Sequence, residues 1–180
     1  VDFLITCCAD QVLLVVAQVS EMLGLPCYID YQTGQNVSDK KYMKKIFHEN
    51  NIPTSRHVEM TELDWERIKE LQYPLVVKPV DAYSSRGVRK AQNPEELELY
   101  FGEAAQISRA GGVIVEEFVS GTEISVDVYV EDGVAFLNFN DAFQFNPYGA
   151  DGYRGQLMQV VFTATEFPSI KSVQILIEDK

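Results

Sequence analysis

The sequence is short of cysteine, histidine and positive charge. Its three cysteines, Cys7, Cys8 and Cys27, are an odd number with two adjacent, which is not a disulfide framework, and neither they nor the two histidines show metal-ligand spacing. This cysteine usage favours a reducing, cytoplasmic location. Lys and Arg total 15 against 27 Asp and Glu, a formal net charge of −12, which argues against nucleic acid or an anionic membrane as the partner.

Long apolar runs and targeting segments are missing as well. The most apolar stretch, residues 12–19, is interrupted by Gln18 and is too short to span a bilayer. No basic segment precedes it, so no signal peptide is predicted. The composition, 46% hydrophobic over 180 residues, suits one large globular domain or parts of two. Because the chain opens on strand-like residues at Val1 and closes without a clear terminal element, we expect a fragment of a longer protein.

The first half of the chain predicts alternating strands and helices. Strand-like residues 1–6 precede apolar residues at helical spacing over 9–23 and a short strand-like segment, 27–30. This order is typical of the end of a parallel α/β unit. Further predicted elements are a loop at 33–36, a helix capped by Ser38, a strand at 56–60, a helix from Thr61 to Leu71, a strand at 74–80, and a helix started by Asn93.

The second half changes to a strand-like period of two. Residues 112–119 and 122–130 predict two strands, and Asp132-Gly133 predicts the turn of a hairpin whose second strand is 134–140. The composition of 141–155 predicts a loop, and 157–164 predicts one more strand. An antiparallel sheet in an α+β arrangement follows.

Lysines in two segments indicate a candidate anion-binding site. In "PLVVKPVDAYSSRGVRK", Lys78 ends a strand and a loop of small residues follows. Lys78 either binds an anion that the loop N–H groups surround, or it extends to solvent beside a plain hairpin. In "SDKKYMKK", Lys40 lies near a helix N-terminus, where phosphate is favoured. The remaining lysines of that helix fit a solvated face.

Carboxylates cluster in a third segment, "VIVEEFVSGTEISVD". Glu116 and Glu117 come at the end of a strand, and Glu123 and Asp127 are predicted to share one strand face. Such carboxylates suit sugar hydroxyls, ammonium groups or Mg²⁺. A solvated sheet face is the alternative.

These segments, in this order, resemble the ATP-grasp superfamily, in the branch of carbamoyl-phosphate synthetase large chains, biotin carboxylases and amino-acid ligases. The resemblance covers the chain from Val1 to about Val130. It divides the chain into 1–36, the C-terminal part of a preceding α/β domain; 37–115, the first ATP-grasp lobe; and 116–180, the start of an incomplete second lobe. The implied fold class is α/β and α+β, the end of a parallel α/β domain followed by an ATP-grasp domain with an antiparallel sheet.

The resemblance also implies roles for the matched residues. Lys40 and Lys78 would bind the nucleotide phosphates beneath a flexible lid, residues 81–87. The backbone of 116–119 would recognise adenine, and Glu123 would hold the ribose hydroxyls. The implied nucleotide-binding residues are Lys40, Lys78, Ser84, Ser85, Gly87, Glu116, Glu117, Val119 and Glu123.

The implied activity is an ATP- and Mg²⁺-dependent ligation of carbamoyl-phosphate synthetase type, acting on small-molecule carboxylate and amine substrates through an acyl phosphate. The Mg²⁺ carboxylates of the family have no match here, because Glu166 and Glu178 lack the expected spacing, so we assign no metal ligand and expect the fragment to be inactive. The alternatives are a non-catalytic nucleotide-binding or regulatory module of the same fold and an α/β domain unrelated to nucleotides. Homo-oligomerisation stays open.

Overall fold

A computed structural model describes residues 1–6 and 10–180, which form two compact units, 1–119 and 120–180. The elements of the first unit are α1 (Asp10–Leu23), α2 (Tyr31–Ser38), α3 (Lys40–Glu49), β1 (His57–Met60), α4 (Trp65–Ile68), β2 (Leu75–Pro79), β3 (Arg89–Ala91), α5 (Pro94–Ile107) and β4 (Val113–Glu117). Those of the second unit are β5 (Val126–Glu131), β6 (Val134–Phe139), a 3₁₀ helix (Asp141–Gln144), α6 (Gly149–Thr165) and β7 (Ser172–Ile177).

The first unit is built on a four-stranded antiparallel sheet with strand order β1-β4-β2-β3. Side chains alternate between its two faces. On one face, Val77 of β2 and Val115 of β4 are fully buried in a core that includes Leu97 and Ala104 of α5. The other face carries the half-buried side chains of β2, which include Lys78. The sheet therefore has one face packed on α5 and a second face that is buried at Ile114 but only partly buried at Lys78.

Side-chain caps fix the starts of several helices in the first unit. Asn93 Oδ1 accepts a hydrogen bond from Glu96 N (2.9 Å), and Pro94 occupies the first turn of α5, as the sequence predicts. The predicted cap at Ser38 is wrong, since Asp39 caps α3 by accepting from Lys41 N (2.8 Å). The predicted helix start at Thr61 is also wrong, since Asp64 caps α4, which ends at Ile68 rather than Leu71.

The predicted strands at 1–6 and 27–30 are absent, and the predicted loop at 33–36 lies inside α2. Asp30 begins this helix, because its carboxylate accepts from both Thr33 N and Thr33 Oγ1 (2.8 Å each). Gly34 suggests a loop in the sequence, yet it is buried where a Cβ would lie 3.2 Å from Leu14 Cδ2. Its small size lets α1 and α2 approach closely.

The second unit is a three-stranded sheet with order β5-β6-β7. The predicted hairpin is confirmed: β5 and β6 pair in antiparallel fashion across Asp132 and Gly133, which both have positive φ (49° and 82°). β7 pairs with β6 in parallel, so the predicted antiparallel sheet gains a parallel strand that the sequence did not indicate. Leu137, Phe139 and Phe143 form its core.

The predictions of a loop at 141–155 and a strand at 157–164 are wrong, because these residues form the 3₁₀ helix and α6. Val160 and Ala164, about one helical turn apart, both pack on the core of the second unit, so they share the inner face of α6. None of the helices in the described residues is long and apolar enough to cross a membrane.

Candidate functional site

The N-terminus of α3 is tied to the loop that follows β2. Lys40 Nζ donates to Ala82 O (2.5 Å), and Lys40 N donates to Val80 O (3.3 Å). Burial, together with the nearby charge of Lys78, lowers the pKa of the Lys40 ammonium group. Two cations therefore approach each other beside this loop, an arrangement that an anion would stabilise.

Lys78 has an anionic partner within the chain. It lies diagonally across the β2–β4 ladder from Glu116, whose direct neighbours are Val76 on β2 and His57 on β1. A long side chain spans such a diagonal, and Lys78 Nζ donates to Glu116 Oε1. Glu116 Oε2 forms a second ion pair, with Lys44 Nζ at 2.8 Å.

Glu116 is held as a carboxylate between these two lysines. Its side chain is only 12% exposed, and burial alone would raise the pKa of its carboxyl group. The hydrogen bonds and the positive charges of Lys44 and Lys78 outweigh burial and keep that pKa below its ordinary value. The cluster of two ammonium groups and one carboxylate has a net positive charge.

The loop after β2 is shaped by an anchor and by unusual backbone angles. Asp81 accepts hydrogen bonds from Ser108 Oγ (2.8 Å) and from the backbone N–H of Ala110 (3.1 Å). Ser84 and Ser85 are in the left-handed region (φ 54° and 56°) although neither is glycine. Strained backbone of this kind clusters at ligand sites.

These elements surround a cleft of about 500 Å³ in the first unit. Five of the predicted nucleotide-binding residues line this cleft, namely Lys40, Lys78, Ser84, Ser85 and Glu116. The apolar side chains of Leu13, Val37, Met43 and Val76 complete it. Cations, hydroxyl groups and an apolar wall in one concave surface are the chemistry that a phosphorylated ligand requires.

The profile of a family described as "D-ala D-ala ligase C-terminus" matches residues 44–148. The chain belongs to this family. The match confirms the resemblance to the ATP-grasp superfamily, to which these ligases belong. It begins at Lys44 and includes Lys78, the loop after β2, and Glu116.

Among curated relatives, the D-alanine–D-alanine ligase of Geobacillus thermodenitrificans is 29% identical over 171 residues, which are 86% of this chain and 46% of the relative. The carbamoyl phosphate synthase large chain of Clostridium acetobutylicum is 29% identical over 101 residues, 55% of this chain and 9% of the relative. The chain therefore spans less than half the length of these two relatives.

Solved structures of such ligases share the fold. The D-alanine–D-alanine ligase of Bacillus anthracis in complex with ATP has a TM-score of 0.57 at 27% identity, over 67% of this chain and 40% of that one. The VanG D-Ala:D-Ser ligase of Enterococcus faecalis has a TM-score of 0.62 at 25% identity, over 71% and 38%. They confirm the predicted fold class of an ATP-grasp domain.

The other predicted site residues of this chain do not line the cleft. Gly87 packs at the base of the loop, near Pro79 and Ile107. The Glu117 carboxylate, on the opposite face of β4 from Glu116, accepts from Gln72 N (3.0 Å) and pairs with Arg56 (3.3 Å). Val119 is 72% exposed at the end of the first unit.

Glu123 belongs to the second unit and precedes β5, so the expectation that it shares a strand face with Asp127 is wrong. Its backbone carbonyl accepts from Asn140 Nδ2 (3.3 Å), which holds the segment before β5 against the end of β6. The role predicted for its carboxylate depends on the resemblance alone.

Lys44 is the site residue that sequence reasoning missed. The sequence suggested a solvated face for the lysines after Lys40, but the Lys44 side chain is only 8% exposed. The available signal was spacing, since Lys44 is four residues after Lys40 and therefore on the same face of α3.

The residues present do not fit the Mg²⁺ that the superfamily implies. Across residues 1–6 and 10–180, no group of three His, Cys, Asp or Glu side chains is placed to hold a metal ion. The one carboxylate in the cleft, Glu116, is already paired with two lysines.

Proposed function

We propose that the first unit supplies the phosphate-binding part of an ATP site. The cleft is the observation that carries this proposal, because it gathers two ammonium groups and three serines around one concave surface. Lys40 and Lys78 would donate charge-assisted hydrogen bonds to the triphosphate, and the loop at Ser84 and Ser85 would cover it. The structural similarity to a ligase solved in complex with ATP supports this choice of ligand.

The adenine and ribose groups of ATP would lie at the end of β4. In the described part of the chain, the N–H groups of Glu117 and Phe118 donate to Arg56 O (2.9 Å) and Pro74 O (3.0 Å), whereas the Val119 N–H donates to no protein group. A free, exposed N–H suits a ring nitrogen of adenine.

The reaction that this site would serve is ligation through an acyl phosphate. ATP phosphorylates a carboxylate, and an amine then displaces the phosphate. Lys40 and Lys78 would hold the transferring phosphoryl group in position and neutralise its negative charge. The relatives named as D-alanine–D-alanine ligases and the L-amino acid ligase of Bacillus licheniformis favour amino acids as the acid and the amine. A carbamoyl-phosphate synthetase type is the second candidate, supported by a match to a smaller part of the chain.

A non-catalytic nucleotide-binding module of the same fold is the alternative. The two functions differ in turnover. Acid-dependent release of ADP with a panel of amino acids and bicarbonate would establish a ligase, whereas ATP binding without ADP release would establish the module.

The test of the ATP site is a binding titration of the parent and of Lys78→Ala. Removing one charge-assisted contact should weaken ATP binding by about 1.5–3 kcal/mol, while the fold persists because Lys78 lies outside the buried core cluster. Lys45→Ala on α3 is the matched control, since Lys45 is exposed and pairs with Glu49 on its own helix. Unchanged ATP affinity in Lys78→Ala would show that the cleft does not bind the phosphates through this lysine.

A further inference from the structure

Lys44 is placed to act on the phosphate site without lining it. Its Nζ donates to Thr54 Oγ1 (2.6 Å) and Ser55 Oγ (2.9 Å) and pairs with Glu116 Oε2 (2.8 Å). These three contacts use all the donors of an ammonium group. Lys44 therefore has no donor left for a ligand, and it is not among the residues around the cleft.

Lys78 differs from Lys44 in both respects. It lines the cleft, its side chain is 18% exposed, and its contact with Glu116 is to the other carboxylate oxygen, Oε1. A phosphate that enters the cleft competes with Glu116 for Lys78. Glu116 is only 12% exposed, so without Lys44 a Glu116 that lost Lys78 would be a buried, unpaired charge, which is strongly unfavourable.

We propose that Lys44 is a positioning residue for phosphate binding: it keeps Glu116 paired and ionised while Lys78 leaves Glu116 for the phosphate of a nucleotide. This inference rests on the proposed ATP site. With Lys44 present, Glu116 stays paired through Oε2 when Lys78 turns from Oε1 to the ligand. Without Lys44, Lys78 and Glu116 neutralise each other.

Other groups face Glu116 as well. His57 of β1 lies directly opposite it in the sheet, and Ser55 Oγ donates to Glu116 Oε2 (2.9 Å). Burial is the main cause that lowers the pKa of the His57 imidazole, and the charges of Lys44 and Lys78 lower it too, whereas the Ser55 carbonyl and Glu116 act in the opposite direction. With its pKa below the ordinary value, His57 is a weaker cation partner for Glu116 than either lysine. Across the cleft are Lys40, which donates to Ala82 O, and Tyr83.

The proposal predicts that Lys44→Met couples ATP binding to proton uptake. When ATP takes Lys78 in this variant, Glu116 has no cation and becomes protonated. Calorimetric titrations with ATP near pH 8, in buffers of different ionisation enthalpy, should show about one more proton taken up than in the parent. ATP affinity should fall at least about tenfold at that pH and recover as the pH is lowered.

Lys45→Met is the control for the loss of an exposed charge on the same helix. It should match the parent in both affinity and proton uptake. The double variant Lys44→Met/Glu116→Gln is the rescue, because a neutral amide needs no cation. Its ATP affinity should equal that of Glu116→Gln to within about threefold, with no added proton uptake.

Two results would overturn the proposal. One is a Lys44→Met variant that binds ATP like the parent without extra protons. The other is a double variant that binds ATP at least tenfold more weakly than Glu116→Gln, which would mean that Lys44 supports the site by another route. The second comparison remains decisive if Lys44→Met does not fold. Failure of the proposed ATP site is distinguishable, since the parent itself would then bind no ATP.

Discussion

At the scale of single residues, Gly87 fixes the base of the loop that covers the cleft. Its φ of +75° lies in the left-handed region, where side chains are unfavourable. A Cβ there would lie 2.8 Å from Ile107 Cδ1 and 3.0 Å from Pro79 Cγ. Pro79 belongs to β2 and cannot turn away, so the position excludes a side chain on steric grounds as well as conformational ones.

We therefore expect Gly87→Ala to lower the free energy of unfolding by about 1–3 kcal/mol. Urea denaturation monitored by circular dichroism measures this change. The matched control is Gly102→Ala in the middle of α5, where a Cβ meets no atom within 4 Å. That substitution should raise stability by up to about 1 kcal/mol, because alanine favours a helix over glycine. Equal effects at the two positions would show that Gly87 is not constrained.

The sequence predicted part of the cleft residue by residue. The placement of Lys40, Lys78, Ser84, Ser85 and Glu116 around one cleft agrees with the order of the sequence motifs, although their roles toward a nucleotide stay predictions. Lys44 was not predicted, because its burial depends on Thr54 and Ser55, which follow the end of α3. The spacing of lysines along α3 places Lys44 on the same face as Lys40, but it does not show that Thr54 and Ser55 fold back to cover it.

At the scale of elements, β4 lies between β1 and β2 and carries Glu116 between two strands that bear titratable groups. The pKa of Glu116 in the folded chain is below its ordinary value of 4.5. The stability that this carboxylate contributes is therefore fully present above about pH 4.5 and is lost as the pH falls through the folded pKa.

The free energy of unfolding of the parent should thus fall more steeply below about pH 4.5 than that of Glu116→Gln. At neutral pH the variant should be the less stable of the two, because Lys44 and Lys78 lose their shared anion, and the two curves should converge in acid. Urea titrations at a series of pH values measure the difference. Glu98→Gln, at an exposed position on α5, should run parallel to the parent. A Glu116→Gln curve that also runs parallel would contradict the ion cluster.

The elements with strong local sequence signals were predicted correctly, whereas those that depend on contacts with a neighbouring element were not. α5 has its own cap and first-turn proline, and the β5–β6 hairpin has its Asp-Gly turn. By contrast, Gly149, Gly152 and Gly155 suggested a loop where α6 begins. α6 packs on the sheet that β6 and β7 form, so its helical state is settled by that contact and not by propensity.

At the scale of the whole molecule, the chain consists of two compact units that meet in sequence at Val119 and Ser120. The next residues, 120–125, are all exposed and belong to no helix or strand. Segments of this kind are the preferred sites of limited proteolysis. Each unit has its own core, so a cut there need not unfold either one.

We expect a glutamate-specific protease under native conditions to cut first after Glu123. Mass spectrometry of the early products identifies the site, and Glu123→Gln should remove this cut while leaving later ones unchanged. Early cuts within α5, which carries several exposed glutamates, would show instead that the first unit opens more readily than the segment between the units.

The parallel pairing of β6 and β7 also determines the order in which the second unit can fold. The β5–β6 hairpin closes through a two-residue turn, an event that takes on the order of microseconds. β7 cannot join until the whole of α6 has been brought across the sheet, because Val134 pairs with Ser172. The entropy of closing that long connection is lost before any contact compensates for it. The apolar side chains of β6 therefore stay uncovered until β7 pairs, and the slow step in folding of the second unit is set by this topology and not by the hairpin.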